Sequence, residues 1–128
     1  MRPIATDKAP AAIGPYSQAM RSGDYLFTSG VIPIDPSNGE IVGDEIGAQV
    51  HQVFKNLKAV LEADTMELKN IVKTTVFLKD LGDFQVLNEI YTEYFGDHKP
   101  ARSTIQVAKL PLDSLVEIEC VAEVERAS

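Results

Sequence analysis

The chain has 128 residues, 45% hydrophobic and 24% charged, the size and composition of one globular domain that buries roughly two-thirds of the surface its unfolded form exposes. No apolar run approaches the roughly 20 residues that cross a bilayer, and the opening stretch "MRPIATDKAP" lacks a signal-peptide core, so a cytoplasmic location and no membrane partner are expected. A formal net charge of −7 with no basic stripe to offset it argues against nucleic acid as a partner, and the single cysteine, Cys120, leaves no internal disulfide to form.

In chain order, Tyr16 to Gly30 reads as a hairpin turning near Ser22, Gly23 and Asp24, with "YLFTSG" as its returning strand. "VIPI" is strand-like and leads into a turn at Asp35 to Gly39. From about Glu45 to Ala63 the apolar residues Ile46, Val50, Val53, Phe54, Leu57, Val60 and Leu61 recur with a helical period, and Asp44 is placed to cap the helix. "NIVKTTVFLKD" is β-rich, with apolar or threonine residues on both faces, as suits a strand inside a sheet. A second helix is expected over Phe84 to Phe95, capped by Asp83, its apolar side marked by Phe84, Leu87, Tyr91, Tyr94 and Phe95. "ARSTIQVAKL" and "LVEIECVAEVE" close the chain as two strands.

This order predicts a single α+β domain over residues 1–128, a mixed sheet with two helices on one face. In the last strand Val116, Ile118, Cys120 and Ala122 occupy one side. Glu117, Glu119, Glu123 and Glu125 occupy the other, where they meet water or another subunit. Cys120 is expected to be a buried, inert thiol.

Arg102 offers a planar fork of donors matched to a carboxylate, and Pro100 just before it restrains the backbone. Glu117 can hold a water and accept its proton if its surroundings adjust its pKa. Tyr16 in "IGPYS" and Ser29 in "TSG" sit at opposite ends of the expected hairpin, and Gly30 permits a backbone approach that a Cβ would block. Taken locally, each of these reads first as a surface arginine, a solvated glutamate or ordinary turn chemistry. The only histidines are His51, expected on the solvated side of the first helix, and His98. With one cysteine they make no zinc-type spacing, and no phosphate loop, dinucleotide fingerprint or nucleophile elbow occurs, so no metal or cofactor is called for.

Four blocks, "AAIGPYSQA", "LFTSGVIPIDPSNGEI", "IVKTTVFLKDLGDFQVLNEIY" and "PARSTIQVAKLPLDSLVEIE", together resemble the RidA family, the imine/enamine deaminases also called YjgF-type proteins, nearly end to end. The resemblance implies a chorismate-mutase-like fold assembled as a homotrimer with active sites in the clefts between subunits. It also implies cofactor-free hydrolysis of 2-imino acids such as 2-iminobutanoate and 2-iminopropanoate to 2-keto acids and ammonia. Carried over, Arg102 grips the substrate carboxylate and Glu117 positions the attacking water. Tyr16 lines the pocket, Ser29 and Gly30 form the wall near the imine, and Asn88 is a pocket residue. Thr104 departs from the cysteine of many bacterial relatives, although its backbone amide still serves the carboxylate, and Val31 departs from a frequent glutamine. The rival reading is a regulatory module that binds a small ligand in the same pocket without turnover. A chorismate-mutase-like isomerase would need a cluster of cations that the chain lacks.

Overall fold

The computed structural model describes residues 1–125. Its strands are β1 (Arg2–Ile4), β2 (Ala19–Ser22), β3 (Tyr25–Thr28), β4 (Ile34–Asp35), β5 (Glu40–Ile41), β6 (Ile71–Leu78), β7 (Ala101–Gln106) and β8 (Val116–Glu123); its helices are α1 (Ile46–Ala63) and α2 (Phe84–Phe95). Six of the strands form one sheet in the order β1-β2-β3-β8-β6-β7, while β4 and β5 make a separate small ribbon. All pairs in the large sheet are antiparallel except β6 with β7. α2 is the crossover linking those two parallel strands, which cannot be joined by a tight turn.

The expected α+β architecture is present. α1 packs against β8 and α2. Val50, Val53, Phe54, Leu57 and Leu61 of α1 are buried with Val76 and Leu78 of β6 and Val116, Ile118 and Ala122 of β8. Phe54 stacks on Tyr94 with ring centroids 4.5 Å apart and meets Tyr91 edge-on at 5.8 Å, which locks the two helices together. β6 lies between two neighbours, as its two-faced pattern indicated. Among the described residues the opposite face of the sheet carries no helix. Tyr25, Phe27 and Ile105 are 42%, 47% and 45% exposed there, on the same face as Glu117, Glu119 and Glu123. No helix among the described residues is long and apolar enough to cross a membrane.

Three local expectations are corrected. Glu45, not Asp44, occupies the cap position of α1 and makes no side-chain cap bond. The buried Gln49 side chain ties this end down instead, donating to the Gly43 carbonyl at 3.1 Å and accepting from the Leu115 amide at 2.8 Å. Asp83 does stand at the cap position of α2, but its side chain makes no cap bond, while Asp80 accepts from the Gly82 amide in the preceding turn. His51 is half-buried, its Nδ1 3.0 Å from the Tyr94 hydroxyl, because α2 packs over the side of α1 that carries it. β1 was not anticipated: it is short and contains proline. A long-range ion pair fixes it, since Asp64, at the end of α1 and almost fully buried, takes both Arg2 and Arg21.

Candidate functional site: two half-sites on opposite faces

The hairpin pairing sets Tyr16 and Ser29 close together. The Ser29 amide donates to the Gln18 carbonyl at 2.9 Å, and its hydroxyl donates to the Ser17 carbonyl at 2.6 Å. Tyr16 is held by its own turn. Its amide donates to the Gly14 carbonyl at 2.9 Å and its hydroxyl oxygen accepts from the Ile13 amide at 3.2 Å, so the phenolic proton stays available to a ligand. Ser29, Gly30 and Tyr16 share the lining of a cavity of about 60 Å³ with Pro10, Ile13, Val31 and Ile34.

Val31 bridges to Ile118 in both directions, N–H to carbonyl at 2.8 and 3.0 Å, and this brings the Ser29–Gly30 turn over β8. Glu117 lies directly against Gly30. A Cβ at that glycine would come within 2.6 Å of both Cδ and Oε2 of Glu117. Burial, and secondarily the charge of Glu119, holds the Glu117 carboxyl above the usual carboxylate range. That is the direction a general base working near neutrality requires. No cation forms an ion pair with it among the described residues.

Gly30→Ala therefore tests the placement of Glu117. The atoms in the way are the end of a flexible side chain, so the fold and melting temperature should hold while the carboxylate is displaced by about 1 Å, lowering kcat by about 100-fold. Unchanged turnover in the alanine variant would show that Glu117 does not need its present position.

Arg102 belongs to a different surface. In the register of β6 with β7 it pairs with Thr74, and Thr74 faces the helices, hydrogen-bonded to the Tyr91 hydroxyl at 2.8 Å. The guanidinium carbon sits 4.8 Å from the Tyr91 ring centre and 5.5 Å from that of Phe84. These rings orient the side chain by cation–π attraction and leave its fork of donors without a carboxylate among the described residues. Asn88 joins it in a groove of about 440 Å³ whose lining also includes Tyr91, Phe95 and Pro100. Thr104, two positions further along β7, pairs with the buried Val76 and so lies on the same face. Its hydroxyl oxygen is buried and has no hydrogen-bond partner among the described residues.

Glu117 pairs with Phe77, one residue out of phase with Thr74 and Val76, and so projects from the helix-free face. The single chain thus divides the expected site: Tyr16, Ser29, Gly30 and Glu117 form one half, and Asn88, Arg102 and Thr104 form the other, across the sheet. Cys120 has no part in either half. Its thiol is buried and pushed up to about 12, chiefly by burial. Sequence reasoning assigned Phe84 and Tyr91 to the helix core and missed their place beneath Arg102. Phe84 is 40% exposed, and the spacing of two aromatics about two turns apart on one face of α2 was the available signal.

A family model described as Endoribonuclease L-PSP matches residues 6–124. The 2-iminobutanoate/2-iminopropanoate deaminase of Escherichia coli K12 is 48% identical over 122 residues, covering 93% of this chain and 94% of that protein. A Thermotoga maritima chain, crystallised as a candidate endoribonuclease, superposes with a TM-score of 0.95 at 52% identity, covering 98% of this chain and 99% of that one. Escherichia coli TdcF, solved with bound serine, superposes with a TM-score of 0.93 at 41% identity over 98% of this chain and 100% of that one. With its sequence and its fold matched over nearly their whole length, the chain belongs to the RidA family.

Proposed function

We propose that the protein hydrolyses 2-imino acids, 2-iminobutanoate and 2-iminopropanoate in class, to 2-keto acids and ammonia. The reaction would run in clefts where the Arg102 half-site of one copy meets the Glu117 half-site of the next. The observation that carries this reading is the pair of complementary, unpartnered groups: a guanidinium oriented by two rings on one face, and a carboxyl raised in pKa on the other. Joining them requires a second copy, and the helix-free sheet face with its exposed Tyr25, Phe27 and Ile105 supplies a surface for one. A head-to-tail contact of this kind forms a ring when its rotation closes, and the family resemblance makes that ring a homotrimer with three equivalent clefts. The name of the Escherichia coli deaminase and the serine bound to TdcF, itself a small amino acid with a carboxylate, support the same substrate class.

Arg102 neutralises and orients the carboxylate, which the Thr104 backbone amide also serves. Glu117 accepts a proton as water attacks the iminium carbon, giving a carbinolamine. It then returns that proton to the nitrogen. The C–N bond breaks, ammonia leaves, and Glu117, ionised again, takes the hydroxyl proton as the keto group forms and releases it to solvent. The Tyr16 hydroxyl donates to the polar end of the substrate. Such imines already hydrolyse in water, so positioning and proton transfer suffice. The endoribonuclease description of the matched family fits this chain less well, since its net charge of −7 repels a polyanion.

Addition of the protein to a threonine dehydratase reaction should speed release of 2-ketobutanoate and reduce trapping of the imine by semicarbazide. Trapping unchanged at stoichiometric protein would replace the enzyme by a binding module.

A further inference from the structure

The connection between Ile4 and Ala19 contains neither helix nor strand, yet it carries Tyr16 and one wall of the cavity above Gly30. Loops of this length inside a compact domain are uncommon and need their own anchor. The anchor here is one side chain. Gln18 is 9% exposed, and its amide is spent entirely on this loop. Oε1 accepts from the Thr6 amide at 2.7 Å, and Nε2 donates to the carbonyls of Thr6 at 3.0 Å, Pro10 at 2.7 Å and, more weakly, Ala9 at 3.3 Å. The same residue's carbonyl takes the Ser29 amide. Gln18 therefore joins the loop wall on one side to the Ser29–Gly30 floor on the other, and that floor is what Glu117 rests against.

We infer that Gln18 is a positioning residue for imine hydrolysis: its buried amide sets the distance between the Tyr16 wall and the Gly30–Glu117 floor, and so the width of the cleft that receives the substrate. The inference rests on the deaminase reading for its chemistry and on the hydrogen bonds alone for its geometry. A glutamine meets the requirement because it supplies an acceptor for one amide and two protons for a cluster of carbonyls. Leucine supplies neither. Glutamate keeps the shape and the acceptor but turns an oxygen toward three carbonyl oxygens.

The test compares Gln18→Leu and Gln18→Glu with the wild-type assembly, reading kcat and KM separately, the assembly mass, and amide hydrogen exchange. We expect kcat/KM to fall about tenfold or more in both variants, mostly through KM, because Arg102 and Glu117 are untouched while the wall between them drifts. Amides of residues 6–17 should exchange faster, whereas those of α1 and β6 should not, and the assembly mass should stay the same. Glutamate should be at least as damaging as leucine despite its closer shape. Wild-type kcat/KM in either variant overturns the inference, as does a global loss of exchange protection with normal kinetics in the folded fraction. If the wild-type protein itself hydrolyses no imine, the deaminase reading fails, and the exchange pattern of Gln18→Leu still decides whether this side chain holds the wall.

Discussion

Mixing two inactive variants, Arg102→Ala and Glu117→Gln, should restore about one quarter of wild-type activity when the chains are co-expressed or refolded together. In the proposed assembly each cleft would take Arg102 from one copy and Glu117 from its neighbour. In a random equal mixture half the copies retain each residue, and the two choices are independent, which gives about one quarter for any closed ring. Separately, Arg102→Ala removes the carboxylate anchor, a loss of about 2–5 kcal/mol of transition-state binding and about 30- to 5,000-fold in kcat/KM. The variant should still assemble, since Arg102 forms no ion pair among the described residues and only lies over the Tyr91 and Phe84 rings. Recovery no greater than the sum of the two variants alone would mean that the halves on opposite faces of one sheet never meet.

That division between faces was not legible in the sequence, and the reason is local. β8 declares its faces: Val116, Ile118, Cys120 and Ala122 are buried while Glu117 and Glu119 are not, so the side on which Glu117 emerges follows from simple alternation. β7 declares nothing. Its sequence "ARSTIQ" places Arg102, Thr104 and Gln106 on one side and Ala101, Ser103 and Ile105 on the other, with no apolar side to choose. It is an edge strand in which no residue is fully buried, so the usual pressure that writes a hydrophobic face into a strand is absent. Its orientation is imposed by the parallel register with β6 and by the rings of α2, both long-range features. The helices and the central strand were readable because each buries a periodic stripe. β1 and the start of α1 were not, because the Arg2–Asp64 pair and the Gln49 bridge join residues far apart in the chain.

Glu117→Gln should lower kcat by about 100- to 10,000-fold with little change in KM, since the amide keeps the shape but cannot take a proton from water. The wild-type pH profile carries a second consequence. Glu117 must be ionised to act, so activity falls as pH drops through its pKa, and burial places that limb above the ordinary glutamate range. In the empty cleft of the proposed assembly the neighbour's Arg102 would oppose the shift by favouring the carboxylate. Once the substrate carboxylate occupies Arg102, that attraction is cancelled while burial remains and deepens. The acidic limb in kcat, which reports the occupied site, should therefore lie at higher pH than the limb in kcat/KM, which reports the free one. Glu117→Gln should lose the limb altogether in its residual activity. A limb that persists in the glutamine variant, or one that sits lower in kcat than in kcat/KM, would assign the proton transfer to a group other than Glu117 and would leave its contact with Gly30 as packing alone.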